Sequence, residues 1–461
     1  SIWIDESYTI EAAQNIGEYG HPVLGSERDY HRELPNSYVL FLSGSVFGFN
    51  EFGMRLPAVI FSLATVVIIF LYCRRLFDGD DIKAAIPAIL VGFSTIHIAW
   101  ARQARMYILL QFLFFLSLYL FYLYLEKKDK KILLLFSVSA LLAVLTHKVA
   151  LVIVPVVALQ FTLFRYKEIW LVPKKIKIIF RENKMYLLSL CSIFMIIFYY
   201  FYTSLPSLQQ KMDYFKPYKF FFIYELFVFT YLAILGFFLM KDIKRSIPLA
   251  LGVLIMIITF SFYIDLFARR YLFIVIPLLF IFSAEAIMFI PKMFRNRYIQ
   301  FGTLLLIMIS VMWSGFTFMP QTQYWLEEDV PQPDFKAAYG SFEIQENDTL
   351  IVDHPLVSKF YGKKGDYWIG FDYSRKGNIT RILTNESGYT KEVYDNLSTI
   401  RSYSEFVDVV NSTKGYIVID LMAKSRIDSR IIKEFEQMEL IFHKMEKEHY
   451  GEIWVYRYPT E

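Results

Sequence analysis

The chain begins with two adjacent carboxylates in an apolar and aromatic setting. Asp5 and Glu6 directly follow Trp3 and Ile4. A carboxylate in so apolar a chain is costly unless it is paired or used. Two interpretations are open. Asp5 caps a helix from about Glu6 to Glu18, which Gly17 or Gly20 ends, or the acidic pair takes a proton during catalysis.

Basic side chains lie in short segments between the apolar runs. They are, in chain order, Arg102 and Arg105 before Tyr107, His147 with Lys148, and Arg269 and Arg270 before Tyr271. The planar donors of arginine match phosphate oxygens, so these segments suit a lipid-linked phosphate. The alternative is structural: interfacial anchoring of the long side chains, or a local ion pair such as Asp265 with Arg269.

The composition indicates a polytopic α-helical membrane protein. Its 461 residues are 56% hydrophobic and 18% aromatic, with a mean hydropathy of +0.38, which is too apolar for one soluble core. The net charge of +4 gives no argument for nucleic-acid binding. Cys73 and Cys191 both lie in apolar runs, so the sequence predicts neither a disulfide framework nor a cysteine metal site.

Hydropathy predicts three regions: a first external loop with interfacial helices (1–56), a transmembrane domain (57–319) and a soluble α/β domain (320–461). The apolar run Tyr38 to Phe49 is too short to cross a membrane. The predicted spans are about 57–73, 84–100, 106–125, 132–147, 149–164, 185–204, 220–240, 247–267, 271–290 and 299–319. The chain starts without methionine, and a further span is expected before Ser1.

The basic residues also predict which loops face outward. With Asp5 outside, the inner connections carry 20 Lys and Arg residues and the outer connections before the last span carry eight. Inner loops of membrane proteins are the more basic ones. The bias therefore places the acidic pair and the C-terminal domain on the outer side.

Glycosylation sequons give an independent indication of the same orientation. All five asparagines after residue 320 head an Asn-x-Ser/Thr sequon, namely Asn347, Asn378, Asn385, Asn396 and Asn411. By chance this has a probability on the order of 10⁻⁵. The sequence predicts a cell-membrane protein with an N-glycosylated external domain, and the lack of external cysteine favours an archaeal over a eukaryotic origin.

The C-terminal domain alternates short β-branched runs with helical stretches. The runs are Thr349 to Val352, Gly415 to Asp420 and Ile453 to Tyr456, and Asp428 to Met438 has a helical pattern. This alternation predicts a small α/β sandwich. No phosphate-binding glycine loop or nucleophile motif occurs there, so we expect a structural or acceptor-facing module.

Four short motifs resemble those of the GT-C glycosyltransferases that use polyprenyl-phosphate sugars, in the branch of protein O-mannosyltransferases and aminoarabinose transferases. They are Trp3-Ile4-Asp5-Glu6, Gly53-Met54-Arg55-Leu56-Pro57, the Arg-x-x-Arg-x-Tyr tract ending at Tyr107, and Arg270-Tyr271-Leu272. They follow the family's order across about residues 1–320. Where the family has a His-Pro-Pro-Leu element, this chain reads Glu33-Leu34-Pro35-Asn36, so His21 and His31 receive no role.

The resemblance implies transfer of a sugar from a polyprenyl (dolichyl) phosphate donor to a glycan, lipid or protein acceptor, in one inverting displacement at the outer face. It implies Asp5 as the general base and Glu6 as the group that orients acceptor or sugar. The donor phosphate would meet Arg102, Arg105, His147, Lys148, Arg269 and Arg270, with Arg55, Tyr107 and Tyr271 as further candidates. Membrane lipid is the other expected partner. No cofactor or metal ligand is assigned, and participation of a divalent cation stays open.

Other functions are alternatives to glycosyl transfer. A lipid or solute transporter would also have ten or eleven spans with acids inside them, but we find no internal repeat of the kind many transporters show. A noncatalytic assembly protein is a third reading. An oligosaccharyltransferase is disfavoured because the chain has no Trp-Trp-Asp triplet. Glu225 and Glu285 are expected to pair within the bundle, and His97 to serve packing.

Overall fold

The chain forms two compact units. The computed structural model describes residues 1–170, 221–240, 242–263, 269–315, 333–369, 382–384, 390–392, 394–445 and 451–459. One unit contains residues 1–60, 99–106 and 320–461, and the other contains residues 61–98 and 107–319. Apolar side chains of the first loop, such as Ile10 and Leu40, share a buried cluster with Ile351 and Val418 of the C-terminal domain. The predicted regions 1–56 and 320–461 are therefore parts of one unit.

Three helices form the first loop. They are α1 (Ile4–Gln14), α2 (Ile16–Tyr19) and α3 (Leu34–Phe47). Gly20 adopts a left-handed conformation with φ 75° and ends α2. The single helix predicted from about Glu6 to Glu18 is instead divided at Asn15, and α1 ends at Gln14, before either glycine. The run predicted to lie at the interface corresponds to α3, where Leu42, Val46 and Phe47 are exposed.

The second unit consists of apolar helices, and α4 begins in the first unit. They are α4 (Glu51–Leu76), α5 (Asp81–Gly92), α6 (Thr95–Ala101), α7 (Tyr107–Lys127), α8 (Lys130–Thr146), α9 (Ile153–Trp170), α10 (Phe227–Leu239), α11 (Ile243–Tyr263), α12 (Val275–Phe289) and α13 (Arg297–Gly315). Helices α8 and α9 are separated by His147, whose backbone is extended, and by a 3₁₀ turn at Lys148–Val152. This is where the fourth and fifth spans were predicted to meet.

Among the described residues, three helical segments are long and apolar enough to cross a membrane: Glu51–Leu76, Tyr107–Lys127 and Arg270–Met293. Helices α5 and α6 make a fourth if they are one span bent by 60°. The predicted span 84–100 is thus broken, at Gly92, a poor helix former. The chain is a multi-pass membrane protein. The number of spans stays a prediction, and the span at 185–204 lies outside the described residues.

Two polar residues within the bundle, Glu285 and His97, are paired. The Glu285 carboxylate forms an ion pair with Lys83, as expected for an acid inside a span. His97 is buried and bonds to Ser62 and Gln111. The side chain of Glu225 and the proposed Asp265–Arg269 pair lie outside the described residues.

The C-terminal segment forms a mixed sheet with short helices. In chain order the elements are α14 (Phe335–Gly340), β1 (Asp348–Val352), α15 (Pro355–Phe360), β2 (Tyr367–Ile369), β3 (Ile382–Thr384), β4 (Thr390–Glu392), β5 (Ser398–Ile400), α16 (Tyr403–Ser412), β6 (Lys414–Asp420), α17 (Leu421–Lys424), α18 (Ser429–Phe435), β7 (Glu439–Lys444) and β8 (Ile453–Tyr458). The predicted strands correspond to β1, β6 and β8, and the predicted helix contains α18. The predicted α/β character is confirmed.

The strand order is β3-β4-β5-β2-β1-β6-β8-β7. The four central strands, β5, β2, β1 and β6, are parallel, and Ile351 of β1 lies between Tyr367 of β2 and Ile417 of β6. The last three residues of β1, Leu350 to Val352, are apolar and buried, because a central parallel strand is covered on both faces. Gly415 is needed at the start of β6, where a Cβ atom would lie 1.9 Å from the carbonyl oxygen of Thr349.

Candidate functional site

Glu6, rather than Asp5, completes the N-terminus of α1. The cap residue is Trp3, and its backbone N–H donates to Glu6 Oε2 at 2.7 Å. A glutamate in the first turn that reaches back to the cap in this way satisfies a donor that the helix leaves open. The helix-cap interpretation of Asp5 is therefore wrong, and the helix begins at Ile4, one residue before it.

The Glu6 side chain is fully buried and saturated with donors. Arg55 binds both carboxylate oxygens, with Nε 2.9 Å from Oε1 and Nη2 2.7 Å from Oε2. The Ala104 N–H also donates to Oε1, at 2.7 Å. With the bond from Trp3, four donors occupy about the four lone-pair positions of a carboxylate. Glu6 thus connects α1 to the start of α4 and to the segment 99–106.

Asp5 is next to Glu6 in the chain but is more exposed to solvent. Its side chain is only half-buried, whereas Glu6 has no exposed surface. The backbone carbonyl of Asp5 accepts a bond from Arg105 Nη1 at 2.9 Å. The start of α1 is consequently fixed through the main chain of Asp5 and the side chain of its neighbour.

Arg105 and Glu33 form a second buried ion pair. Arg105 Nη1 lies 2.8 Å from Glu33 Oε1 and 2.6 Å from the Thr9 hydroxyl. Glu33 also accepts bonds from the Tyr30 hydroxyl at 2.8 Å and from Asn36. Burial, followed by the negative charge of Glu33, raises the pKa of Tyr30 well above its usual value. Arg105 is thus engaged inside the first loop.

Sequence reasoning missed the role of Glu33. This residue stands in the tract where the chain departs from the family's His-Pro-Pro-Leu element, and it has a left-handed backbone with φ 51°. The departure itself was the available signal, because a glutamate at that place can neutralise a buried arginine. His21 and His31, which received no role, are exposed near Asp29.

Arg55 lies near the start of α4, where the helix packs closely against the turn at Gly48. Gly53 allows this close packing, since a Cβ atom on it would lie 2.0 Å from the carbonyl oxygen of Gly48. The Gly53 carbonyl also accepts a bond from the Ser43 hydroxyl at 2.6 Å. The Gly-Met-Arg-Leu-Pro motif therefore delivers the arginine that binds Glu6.

In the second unit, three candidates from different motifs come together. The His147 ring lies 6.2 Å from the Tyr107 ring and 6.0 Å from the Tyr271 ring, measured between centroids. Tyr271 also stacks on Phe260, and the Arg270 guanidinium lies 5.7 Å from the Tyr271 ring. His147 Nδ1 accepts the Val149 N–H at 3.2 Å, which leaves Nε2 to carry the proton of the neutral ring.

The remaining candidates are dispersed. The side chains of Arg102 and Lys148 are exposed, and that of Arg269 lies outside the described residues. Of the sequons, Asn347 and Asn411 are exposed and Asn396 is half-buried, while Asn378 and Asn385 lie outside the described residues. Exposed asparagines are accessible for modification, but they do not establish the side of the membrane.

Known proteins share both a sequence region and the fold of this chain. Residues 35–202 match the model of the dolichyl-phosphate-mannose-protein mannosyltransferase family. The whole chain is similar to the structure of ArnT from Cupriavidus metallidurans in the apo state, with a TM-score of 0.56 at 13% identity over 98% of this chain and 93% of that one. This part of the chain is therefore similar to that family, and the fold of the whole chain is similar to that of ArnT, a GT-C membrane enzyme.

Two further matches are informative. The Archaeoglobus fulgidus oligosaccharyltransferase in complex with Zn and sulfate matches with a TM-score of 0.54 at 12% identity, over 97% of this chain and 69% of that one. An uncharacterized protein of Aquifex aeolicus is 30% identical over 159 residues. That alignment spans 34% of this chain and 32% of the Aquifex protein. The structural matches establish the fold. The reaction has to be inferred from the residues of the candidate site.

Proposed function

We propose that this chain is a membrane glycosyltransferase that moves a sugar from a polyprenyl-phosphate donor to an acceptor at the outer face of the membrane, by a single inverting displacement. The observation that supports this proposal best is the division within the acidic pair. Glu6 is buried with its lone pairs occupied, and the adjacent Asp5 is half-buried on the rigid first turn of α1. This division supports a structural role for Glu6 and leaves the catalytic role to Asp5 in our proposal.

Asp5 would serve as the general base. The acceptor must lose a proton as it attacks C1 of the sugar, and a carboxylate within hydrogen-bond reach of that proton accepts it. The two ends of the Asp5 residue have separate tasks, because its carbonyl is held by Arg105 while its carboxylate carries the chemistry. Glu6 becomes a positioning residue, which refines the expectation that it touches acceptor or sugar.

Basic groups would stabilise the departing phosphate. As the C1–O bond breaks, negative charge grows on the leaving phosphate, and preorganised donors lower the energy of that state. Arg102 and Lys148 offer exposed cations, and His147 offers an N–H donor whose position is set by the Val149 bond. Arg270 and Tyr271 border the same histidine.

One structural relative is described with Zn, so the fit of a metal at the acidic pair matters. Glu6 is the neighbouring carboxylate and would be the first candidate for a second ligand beside Asp5. Its oxygens already accept bonds from Trp3, Arg55 and Ala104, so they would have to leave those donors. The described residues around Asp5 do not form a metal-binding donor set, and the proposed mechanism uses none.

Replacing Asp5 by Asn tests the proposal. The amide keeps the size of the side chain but cannot accept a proton, and the backbone bond to Arg105 is retained. Loss of general-base assistance should lower the transfer rate by about 10²- to 10⁴-fold. The measurement uses purified protein and radiolabelled polyprenyl-phosphate sugars, with donor binding and thermal stability recorded on the same samples.

Asp29→Asn is the control, since Asp29 is an exposed aspartate of the same loop. It should transfer at the normal rate. Near-normal turnover by Asp5→Asn, with the panel active in the parent protein, would remove Asp5 from the mechanism. If the parent protein neither transfers nor hydrolyses the sugar of any donor in the panel, the result would count against the glycosyltransferase proposal itself.

Orientation forms a separate part of the proposal. We expect Asn378 and Asn411 on the outside and Lys128 and Lys174 on the inside, because of the basic bias and the sequons. Single cysteines at these positions, in a background without Cys73 and Cys191, are probed with an impermeant thiol reagent on intact cells. Labelling of the first two only is expected, and the reverse pattern would place Asp5 on the wrong side.

A further inference from the structure

Strands β1 and β6 are neighbours at the topological switch point of the sheet. After β1 the chain crosses to β2 on one side, and after β6 it continues to β7 and β8 on the other. Ligands of open α/β sheets bind beyond the carboxyl ends of the strands at such a switch point. Asp353 and His354 directly follow β1, and Asp420 is the last residue of β6.

The three side chains are buried and converge. His354 Nε2 lies 3.1 Å from Asp420 Oδ2 and 3.7 Å from Asp353 Oδ2, and one donor atom from each residue fits within 4.8 Å of the others. Ligands bound at about 2.0 to 2.2 Å from one ion are roughly 3.0 to 3.5 Å apart. The spacing is close to that of a loaded site.

The charges of this cluster are incompletely compensated by the described residues. Asp353 Oδ2 accepts the Asp420 N–H and Asp420 Oδ1 accepts the Ala423 N–H, both at 2.6 Å. Asp353 Oδ1 is buried and has no hydrogen-bond partner within the described part of the chain. A buried carboxylate oxygen without a donor is costly. Two carboxylates sharing one imidazole therefore leave a place for a cation.

The space beside the cluster limits what can bind. Asp353 and His354 line a cavity of about 10 Å³, together with Ser7, Tyr8, Trp368 and Tyr394. A volume of this size holds about one water-sized particle. A single metal ion fits a volume of this size, which is too small for a sugar or a peptide.

We propose that Asp353, His354 and Asp420 form a binding site for a divalent transition-metal ion of the Zn²⁺ or Mn²⁺ kind. One imidazole and two carboxylates suit these ions better than they suit Ca²⁺, which prefers oxygen ligands alone. The ion joins the ends of β1 and β6 and stabilises the domain. This site lies apart from Asp5 in sequence and in role, and it does not depend on the proposed glycosyl transfer.

The test uses the full chain in detergent, purified without a histidine tag and stripped with a chelator. Zn²⁺ and Mn²⁺ are added separately, bound metal is measured by mass spectrometry, and thermal unfolding is recorded. One equivalent of metal should bind and raise the unfolding midpoint. Asp353→Asn and His354→Gln should each weaken binding by more than about 100-fold, because even changes to groups behind the ligands cost about 10- to 100-fold.

The matched control removes the exposed imidazoles around Asp29 by the double change His21→Gln and His31→Gln. It should leave the bound equivalent in place. The proposal is overturned if neither ion binds and the midpoint does not move, or if Asp353→Asn keeps the full equivalent. Asp353→Asn alone decides the matter if His354→Gln does not fold, since it retains an acceptor for the Asp420 N–H.

Discussion

Two buried carboxylates of the first unit, Glu6 and Asp353, are held in opposite ways. Glu6 has no exposed surface, and its two oxygens accept four bonds, two of them from Arg55. Asp353 is 1% exposed, and one of its oxygens has no partner among the described residues. Burial raises the pKa of Asp353 to about 7, and the nearby Asp420 charge acts in the same direction.

The difference separates a structural acid from one that has a binding task. A carboxylate whose lone pairs are all occupied contributes by holding elements together, and substrate cannot reach it without breaking those bonds. A buried carboxylate that lacks a donor has to acquire a proton or a cation. Glu6 and Asp5 differ in another respect, because Glu6 is fully buried and Asp5 is half-buried, although the two are neighbours in sequence.

The largest effect is expected from removing the Glu6 carboxylate. Glu6→Ala leaves the Arg55 guanidinium without its bidentate partner, and loss of one partner of a buried ion pair typically costs about 3 to 5 kcal/mol. We expect the free energy of unfolding to fall by that amount, as measured by denaturant titration in detergent. Glu18→Ala, on exposed α2, is the control and should be near neutral. A stable Glu6→Ala protein would contradict the structural assignment.

A second prediction extends the comparison to the arginines. Arg105 is buried against Glu33 and Arg102 is exposed, so Arg105→Gln should lower stability and Arg102→Gln should lower donor affinity. A lost charge-assisted bond costs about 1.5 to 3 kcal/mol, or roughly 10- to 150-fold in affinity. Both variants are assayed for unfolding and for binding of a polyprenyl phosphate. If Arg105→Gln is stable but fails to bind, the original assignment of Arg105 to the phosphate is the better one.

The smallest change in the free energy of unfolding is expected for a substitution at Asp353, and the sign of that change is what tests the comparison. In metal-free protein, Asp353→Asn removes a charge that burial disfavours and keeps an acceptor for the Asp420 N–H, so stability should rise slightly, by about 1 kcal/mol. Glu6→Gln should lower stability under the same conditions, because its amide N–H₂ faces the donors of Arg55 and Ala104. Equal effects of the two neutral substitutions would remove the distinction between the two sites.

Patterns along the chain predicted the class of protein and most of its local structure. The apolar runs predicted α7 and α12, and the β-branched runs predicted β1, β6 and β8, because burial on a helix face or in a sheet requires these periodicities. The order of the short motifs predicted a GT-C type of fold, and the structural matches agree with it. Tyr107 and Tyr271 were selected from two of the motifs and His147 from the connection between two predicted spans, and the three rings lie close together in the folded unit.

Only the tertiary structure decided how the two first acids differ. Sequence patterns favoured Asp5 as a helix cap or a base, but the cap is made by Glu6 and depends on Arg55 and Ala104, which are distant in the chain. Arg105 received a phosphate role because the sequence does not show Glu33 beside it. The cluster of Asp353, His354 and Asp420 has no sequence signature, since it arises from two parallel strands that end side by side. Pairing of charges depends on distances between remote residues, and those distances are set by folding.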